Sequence, residues 1–310
     1  MHLIDRVFSE PEFTASPPVL VDVGAAGGVP AAWKRIARYS IAVAFEPDAR
    51  ESAPLTHAQQ QFKRWIYVPA IVTGQFPAEG KTTFHLTRSP QCSSTLRPRS
   101  DALKQWAFAS SFDVVSEQEF PATTLQAALQ THGLTSPDWL KCDTQGTDLR
   151  LFISLPAEIR RRVLAVEFEP GFIDAYADED TLPQILETMK DEPYLLVDFS
   201  IQKTPLAWHG RHHSAWYRRL APSVPGWGNL RYLRRFDSET PLPDRRTILF
   251  LWVLATLQNQ PAYAYNLAVG GGGCHGGGLF SAMQKASLRQ LRFSMIARLP
   301  GWILHRFFLH

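Results

Sequence analysis

Acids stand at the ends of three apolar runs in this 310-residue chain. Glu46 follows 41–45, Asp143 follows 138–142, and Glu167 and Glu169 both belong to 163–169. A fourth run, 19–23, ends instead in the small residues Gly24-Ala25-Ala26-Gly27-Gly28. A buried strand running into such a turn leaves backbone open to a ligand, and an acid about 20 residues on can accept hydrogen bonds from ribose hydroxyls. Together they form a recipe for gripping an adenosine-type cofactor. The turn lacks the GxGxxG spacing of a dinucleotide fingerprint. Asp143 faces the same crevice, where a carboxylate stabilises a cation or orients a nucleophile. Its position also suits an acid capping the helix that opens near Gly146. Glu167 and Glu169 share one face of their strand, because strand side chains alternate. That face opens either on a cavity or on water.

Other residue clusters are less specific. His209, His212 and His213 lie near Trp208, Trp216 and Tyr217, but HxxHH is a poor metal spacing with no carboxylate close by, so no metal is expected. The glycines of 270–278 have neither the preceding strand nor the following Lys-Ser/Thr of a phosphate loop, and read by composition as a flexible linker. Lys141 reads as a strand residue whose ammonium snorkels outward.

The elements that must position these groups follow from periodicity. Apolar runs at 18–24, 41–45, 65–72, 138–143 and 163–169 alternate with helical patterns at 31–39, 51–62, 148–155 and 182–190, which predicts a doubly wound parallel sheet. Residues 82–86 alternate like an exposed strand, within a hairpin or loop insertion. The run 194–199 is a late strand. From about 204 the alternation stops, and an Arg- and Trp-rich loop region leads into a helix at 245–258. A basic amphipathic segment, 287–309, is broken at Pro300-Gly301. The expected division is therefore 1–203, with a core at 18–200, and a helical and loop extension at 204–310.

Composition sets outer bounds. Hydrophobic residues make up 45% and charged residues 20%, which excludes general disorder. A net charge of +3 gives no electrostatic case for nucleic acid. Three scattered cysteines without a CxxC fit a reducing compartment. With no basic-then-apolar leader and no apolar run long enough for a bilayer, a soluble cytoplasmic protein is the expectation.

Several blocks, taken in order, resemble a known family. Asp22-Val23-Gly24-Ala25, Phe45-Glu46-Pro47, Leu140-Lys141-Cys142-Asp143-Thr144-Gln145-Gly146 with Asp148-Leu149, and Val166-Glu167-Phe168-Glu169 look like the FkbM-type class I S-adenosylmethionine-dependent methyltransferases. Ala70 and Ser93-Ser94-Thr95-Leu96 fit looser family features. The resemblance implies a seven-stranded, mostly parallel, Rossmann-like sheet with a late antiparallel strand, for which 194–199 is well placed. It implies S-adenosyl-L-methionine as cofactor, held by Asp22, Gly24, Ala25, Ala26, Gly28, Glu46, Pro47, Asp48, Ala70 and Asp143. Gly24 and Ala25 would surround the methionine moiety, Glu46 would hold the ribose, and Pro47 and Asp48 would border the adenosine. Asp143 would sit at the reacting centre as the base or the group orienting it, with Glu167 or Glu169 as alternate. Ala26 and Gly27-Gly28 depart from the family's polar residue and single glycine, so backbone replaces a side-chain contact there.

The resulting expectation is O-methylation of a hydroxyl on a glycan, a lipid-linked sugar or a small metabolite. An NAD(P)-dependent oxidoreductase on a similar sheet and a non-catalytic methyltransferase-like binding protein are the competing readings. The basic C-terminal segment carries a further expectation of peripheral contact with an anionic membrane, or of packing on the domain or a second subunit.

Overall fold

The computed structural model describes residues 3–51, 55, 59–207, 220–236 and 243–308, with side chains described as far as 298. The chain divides into two compact units, Pro18–Arg234 and a second formed by Met1–Pro17 with Arg235–His310.

In the first unit, the apolar runs become β1 (Val19–Val23), β2 (Ile41–Phe45), β3 (Arg64–Val68), β7 (Trp139–Cys142) and β8 (Ala165–Phe168), all parallel. Strands β4 (Ile71–Val72), β5 (Lys81–Thr87) and β6 (Val114–Thr123) form a separate three-stranded sheet in the order β4-β6-β5. Two long strands, β9 (Tyr194–Pro205) and β10 (Ser223–Arg234), complete a seven-stranded sheet in the order β3-β2-β1-β7-β8-β10-β9. One face carries the main core. There Val21, Val23, Leu140, Val166, Phe168 and Leu230 pack with Leu129, Phe152 and Ile185. Those last three come from helices Leu125–Thr131, Asp148–Ser154 and Leu182–Asp191. Thr124 caps the first by accepting from the Ala127 amide, and a capping box at Thr181 starts the third. On the opposite face Trp33 packs edge-on against Trp139 at 5.7 Å.

Four sequence expectations change here. The strand expected at 65–72 is split, since β3 stays in the large sheet while β4 joins the small one. The late antiparallel strand is β10, not 194–199: β10 pairs antiparallel with both β8 and β9, which makes β9 parallel to β8. A helical crossover, Leu182–Asp191, joins β8 to β9 and returns the chain in the same direction. The boundary expected at 203 falls inside β9, and the sheet extends to Arg234. Finally, the long helix expected at 31–39 is a four-residue helix, Ala31–Lys34, followed by a 3-10 turn, Ala37–Tyr39.

The second unit is helical: Leu3–Phe8, Pro11–Ala15, Arg245–Leu257, Pro261–His275 and Gly278–Phe308. Phe8, Phe13 and Phe250 cluster, and Arg245 pairs with Glu10 and Glu12. The supposed glycine linker is mostly helix, since Pro261–His275 runs through Gly270 to Gly273. Packing overrides composition there. A Cβ on Gly271 would lie 2.4 Å from the Phe280 ring, so glycine lets the two helices close on each other. Only Gly276 and Gly277, at φ 63° and 97°, make the turn between them. The last helix continues through Pro300-Gly301, where a break was expected.

Candidate functional site

The site lies at the carboxyl ends of β1, β2, β7 and β8. After β1, Gly24 turns with φ 82°, a conformation that favours glycine, and a Cβ there would fall on the Asp143 carbonyl oxygen. Its amide and that of Ala25 both donate to the Phe45 carbonyl, at 3.1 and 3.0 Å, tying this turn to the end of β2. Glu46 follows immediately and is buried at 5% exposure. Burial lifts its carboxyl to about 7, although the Asp48 and Ala26 amides donate to it. Among the described residues, no cation forms an ion pair with it.

After β7, Asp143 is held from three sides. Lys141 Nζ lies 3.3 Å from one carboxylate oxygen, Gln145 Nε2 donates to the other at 3.2 Å, and Glu169 shares a hydrogen bond. Burial would raise its carboxyl, but the Lys141 charge and these hydrogen bonds outweigh burial and hold it low. Glu169 is pushed the other way, to about 9, by burial and by the neighbouring Asp143 charge. The pair therefore holds one proton near neutral pH, and it sits on Glu169.

Lys141 does not snorkel. It is half-buried between Asp22 and Asp143, with Nζ 3.0 Å from Asp22 Oδ1. Asp143 does not serve as the helix cap either: Thr147 stands at the N-cap without a side-chain cap bond, and the Arg150 amide of the first turn donates to Asp180. One Asp148 oxygen accepts from the Thr144 amide and hydroxyl and the other from the Glu169 amide, which stitches the end of β7 to the end of β8. Burial lifts Asp148 to about 6.

Two cavities share Asp143 in their walls. A narrow slot of about 60 Å³ is lined by Gly24, Ala26, Glu46, Pro47, Ala70 and Asp143, among others. A cleft of about 450 Å³ opens on the other side, against Glu169, Tyr176, Glu179, Phe108, Phe112 and Trp227. Gly24, Ala26, Gln91, Asp143 and Gln145 border both.

Six of the sequence-derived residues thus line the slot, and Glu169 lines the cleft. The others stand behind the site. Asp22 is buried against Lys141, Ala25 packs with Ala44 and Leu55, and Gly28 closes the turn through its amide on the Ala25 carbonyl. Asp48 is engaged by Arg50. Glu167 accepts from Trp139 Nε1 at 2.9 Å and from Arg231 Nε at 3.3 Å and reaches neither cavity. His209, His212, His213, Trp208, Trp216 and Tyr217 lie outside the described residues.

Sequence reading quoted Asp148 in the family block without giving it a role, and it missed Tyr176 and the aromatic wall of the cleft. The Tyr176 hydroxyl lies 2.8 Å from the Cys92 carbonyl and 3.0 Å from Gln145 Oε1. Gln145 itself adopts φ 58°, and its carbonyl accepts from Ser94 Oγ. These contacts join segments 30 or more residues apart, so no local spacing announces them. Asp148 did carry a signal, as an acid in the first turn of a helix right after Gly146-Thr147.

The profile of the methyltransferase FkbM domain matches residues 22–196, more than half of the chain. The chain belongs to the FkbM methyltransferase family. No curated protein and no solved structure matches it. The matched segment of this FkbM methyltransferase contains every residue of the slot and carries Asp143, Glu169 and Tyr176. It ends within β9, so Trp227, on β10, is supplied to the cleft by sequence beyond the family match.

Proposed function

We propose that this FkbM methyltransferase uses S-adenosyl-L-methionine to O-methylate a hydroxyl of a glycan, a lipid-linked sugar or a small metabolite. The observation that carries the reading is the Asp143–Glu169 pair at the junction of slot and cleft. The slot's donor set fits the cofactor. Glu46 is a buried carboxylate bordering it with hydrogen-bond capacity suited to ribose hydroxyls, Pro47 and Ala70 offer apolar walls for an adenosine, and Gly24 and Ala26 present backbone. Asp143, ionised at neutral pH, complements a cationic centre at the slot's inner end. Bound there, the cofactor supplies an electrophilic methyl group on its sulfonium.

The protein's own contribution is alignment and proton handling. An acceptor hydroxyl in the cleft donates its hydrogen bond to Asp143. In transfer, Asp143 would take the hydroxyl proton as the acceptor oxygen bonds to the methyl carbon and the carbon–sulfur bond breaks, leaving a neutral thioether. Glu169, already protonated, donates to Asp143 and restrains its carboxylate. Lys141 and Gln145 fix the same carboxylate from behind.

Calorimetry with S-adenosylmethionine and with NAD tests the cofactor, and labelled methyl transfer into cell-extract fractions tests the reaction. Binding of S-adenosylmethionine and loss of transfer in Asp143→Asn are expected. NAD binding in its place, or an Asp143→Asn enzyme of full activity, would overturn the reading. Cofactor binding without turnover on any fraction would favour a non-catalytic binding protein.

A further inference from the structure

The helix Gly278–Phe308 changes character along its length. In its first half, Phe280, Met283 and Ser287 are buried. Ser287 Oγ accepts from Trp252 Nε1 at 3.0 Å, and Gln284 and Gln290 donate to carbonyls of the two preceding helices. From Arg292 to Arg298 the side chains are mostly exposed, while the apolar sequence continues. Phe293, Met295 and Ile296 are 67%, 62% and 61% exposed. Phe293 and Ile296, with Ile303 and Phe307 further along, recur at helical spacing.

Charge on this segment has one sign. From Gly278 to the last residue there are Lys285, Arg289, Arg292, Arg298 and Arg306, and no Asp or Glu. A second copy of the same helix would bring arginines against arginines. An anionic lipid surface is complementary to the basic residues, and its headgroup–acyl boundary accepts exposed Phe, Met and Ile side chains. No helix among the described residues is long and apolar enough to cross a membrane, so the segment would lie along the surface.

We propose that this helix, through its exposed residues from Arg289 onward, docks the chain on an anionic membrane surface. Its apolar side chains enter the interface and its arginines meet lipid phosphates. The inference stands independently of the methyl-transfer reading, because its readout is partition rather than turnover.

The test is co-sedimentation of the full chain with phosphatidylcholine vesicles, with and without phosphatidylglycerol. Binding to the anionic vesicles that falls as salt rises is expected. Each arginine replaced among Arg289→Gln, Arg292→Gln and Arg298→Gln should lower the partition constant about fivefold. Phe293→Ser with Ile296→Ser, both at exposed positions and checked by an unchanged melting profile, should abolish most binding. Equal binding to neutral and anionic vesicles, undiminished binding by the double serine variant, or no binding at all would overturn the proposal. So would a dimer, seen by sedimentation velocity without vesicle binding, that the serine variant dissolves.

Discussion

Replacing Lys141 with methionine tests the electrostatic logic of the site directly. The ammonium lies 3.0 Å from Asp22 and 3.3 Å from Asp143. At an effective dielectric near 20, each contact represents about 5 kcal/mol of gross attraction, and deleting one partner of a buried pair typically costs about 3–5 kcal/mol net. Methionine keeps most of the volume, so the loss is chiefly that of the charge. The sign of the pH dependence follows from the stranded carboxyls. Asp22 sits at about 6 even with the lysine present, because burial dominates. Without Lys141, both carboxyls rise above their unfolded values. Such groups favour the folded state most at low pH, and the folded state loses that advantage as pH rises through their folded pKa. The deficit of Lys141→Met should therefore be largest at pH 8 and shrink towards pH 5. With two groups titrating across that window, roughly 2–3 kcal/mol should be recovered, at 1.36 kcal/mol per pKa unit. Urea unfolding at several pH values, read as midpoint shifts at constant slope, measures it. Adding Asp22→Asn should restore part of the loss at pH 8. A deficit below about 1 kcal/mol at pH 8, or one that does not change with pH, would refute the reasoning, because an exposed pair behaves that way.

Further outcomes follow from other positions. Gly24→Ala places a methyl on the Asp143 carbonyl and should separate β1 from β7, lowering the melting temperature and abolishing S-adenosylmethionine binding in calorimetry. Glu46, lifted to about 7, becomes a full acceptor only as pH rises through that value, so cofactor affinity should increase from pH 6 to 8 and Glu46→Gln should flatten the increase. Gly271→Val drives side-chain atoms into Phe280 and should destabilise the helical unit by about 1–3 kcal/mol, measured by thermal unfolding. Arg231→Gln breaks pairs with Glu167 and Asp198, but the guanidinium side chain is 39% exposed, so urea unfolding should show a loss of only about 0–1 kcal/mol.

The parts of the fold legible in the sequence are those where burial is two-sided. Strands β1, β2, β7 and β8 are covered on both faces and read as unbroken apolar runs, and the residues just after them are the site. Strand β10 was hidden because two of its inward positions are Gly226 and Gly228. Their missing side chains erase the alternation, yet a Cβ at Gly228 would lie 2.7 Å from the Phe199 ring and 3.0 Å from that of Phe172. The helix across Gly270–Gly273 was hidden for the same reason, since Phe280 fills the space that a side chain on Gly271 would need. Tyr176 and Trp227 could not be found locally, because only the folded chain brings them to Asp143.

Sheet register explains why two nearly identical acids differ in role. Asp22, Lys141, Glu167, Arg231 and Asp198 are successive partners across β1, β7, β8, β10 and β9. They form a row of alternating charge on one face, each member beside an opposite one. Two residues further along the parallel strands comes the next row on that face, and it holds Gly24, Asp143 and Glu169. Glu167 is matched by Arg231 within its row and stays a structural partner. Glu169 has Asp143 as its neighbour and no cation opposite it in the register, so it retains a proton. Lys141 is the only member of the first row that also touches the second. Its ammonium keeps Asp143 ionised while Glu169 remains neutral. The Leu-Lys-x-Asp block thus works as a unit because one strand period separates its cation from its carboxylate.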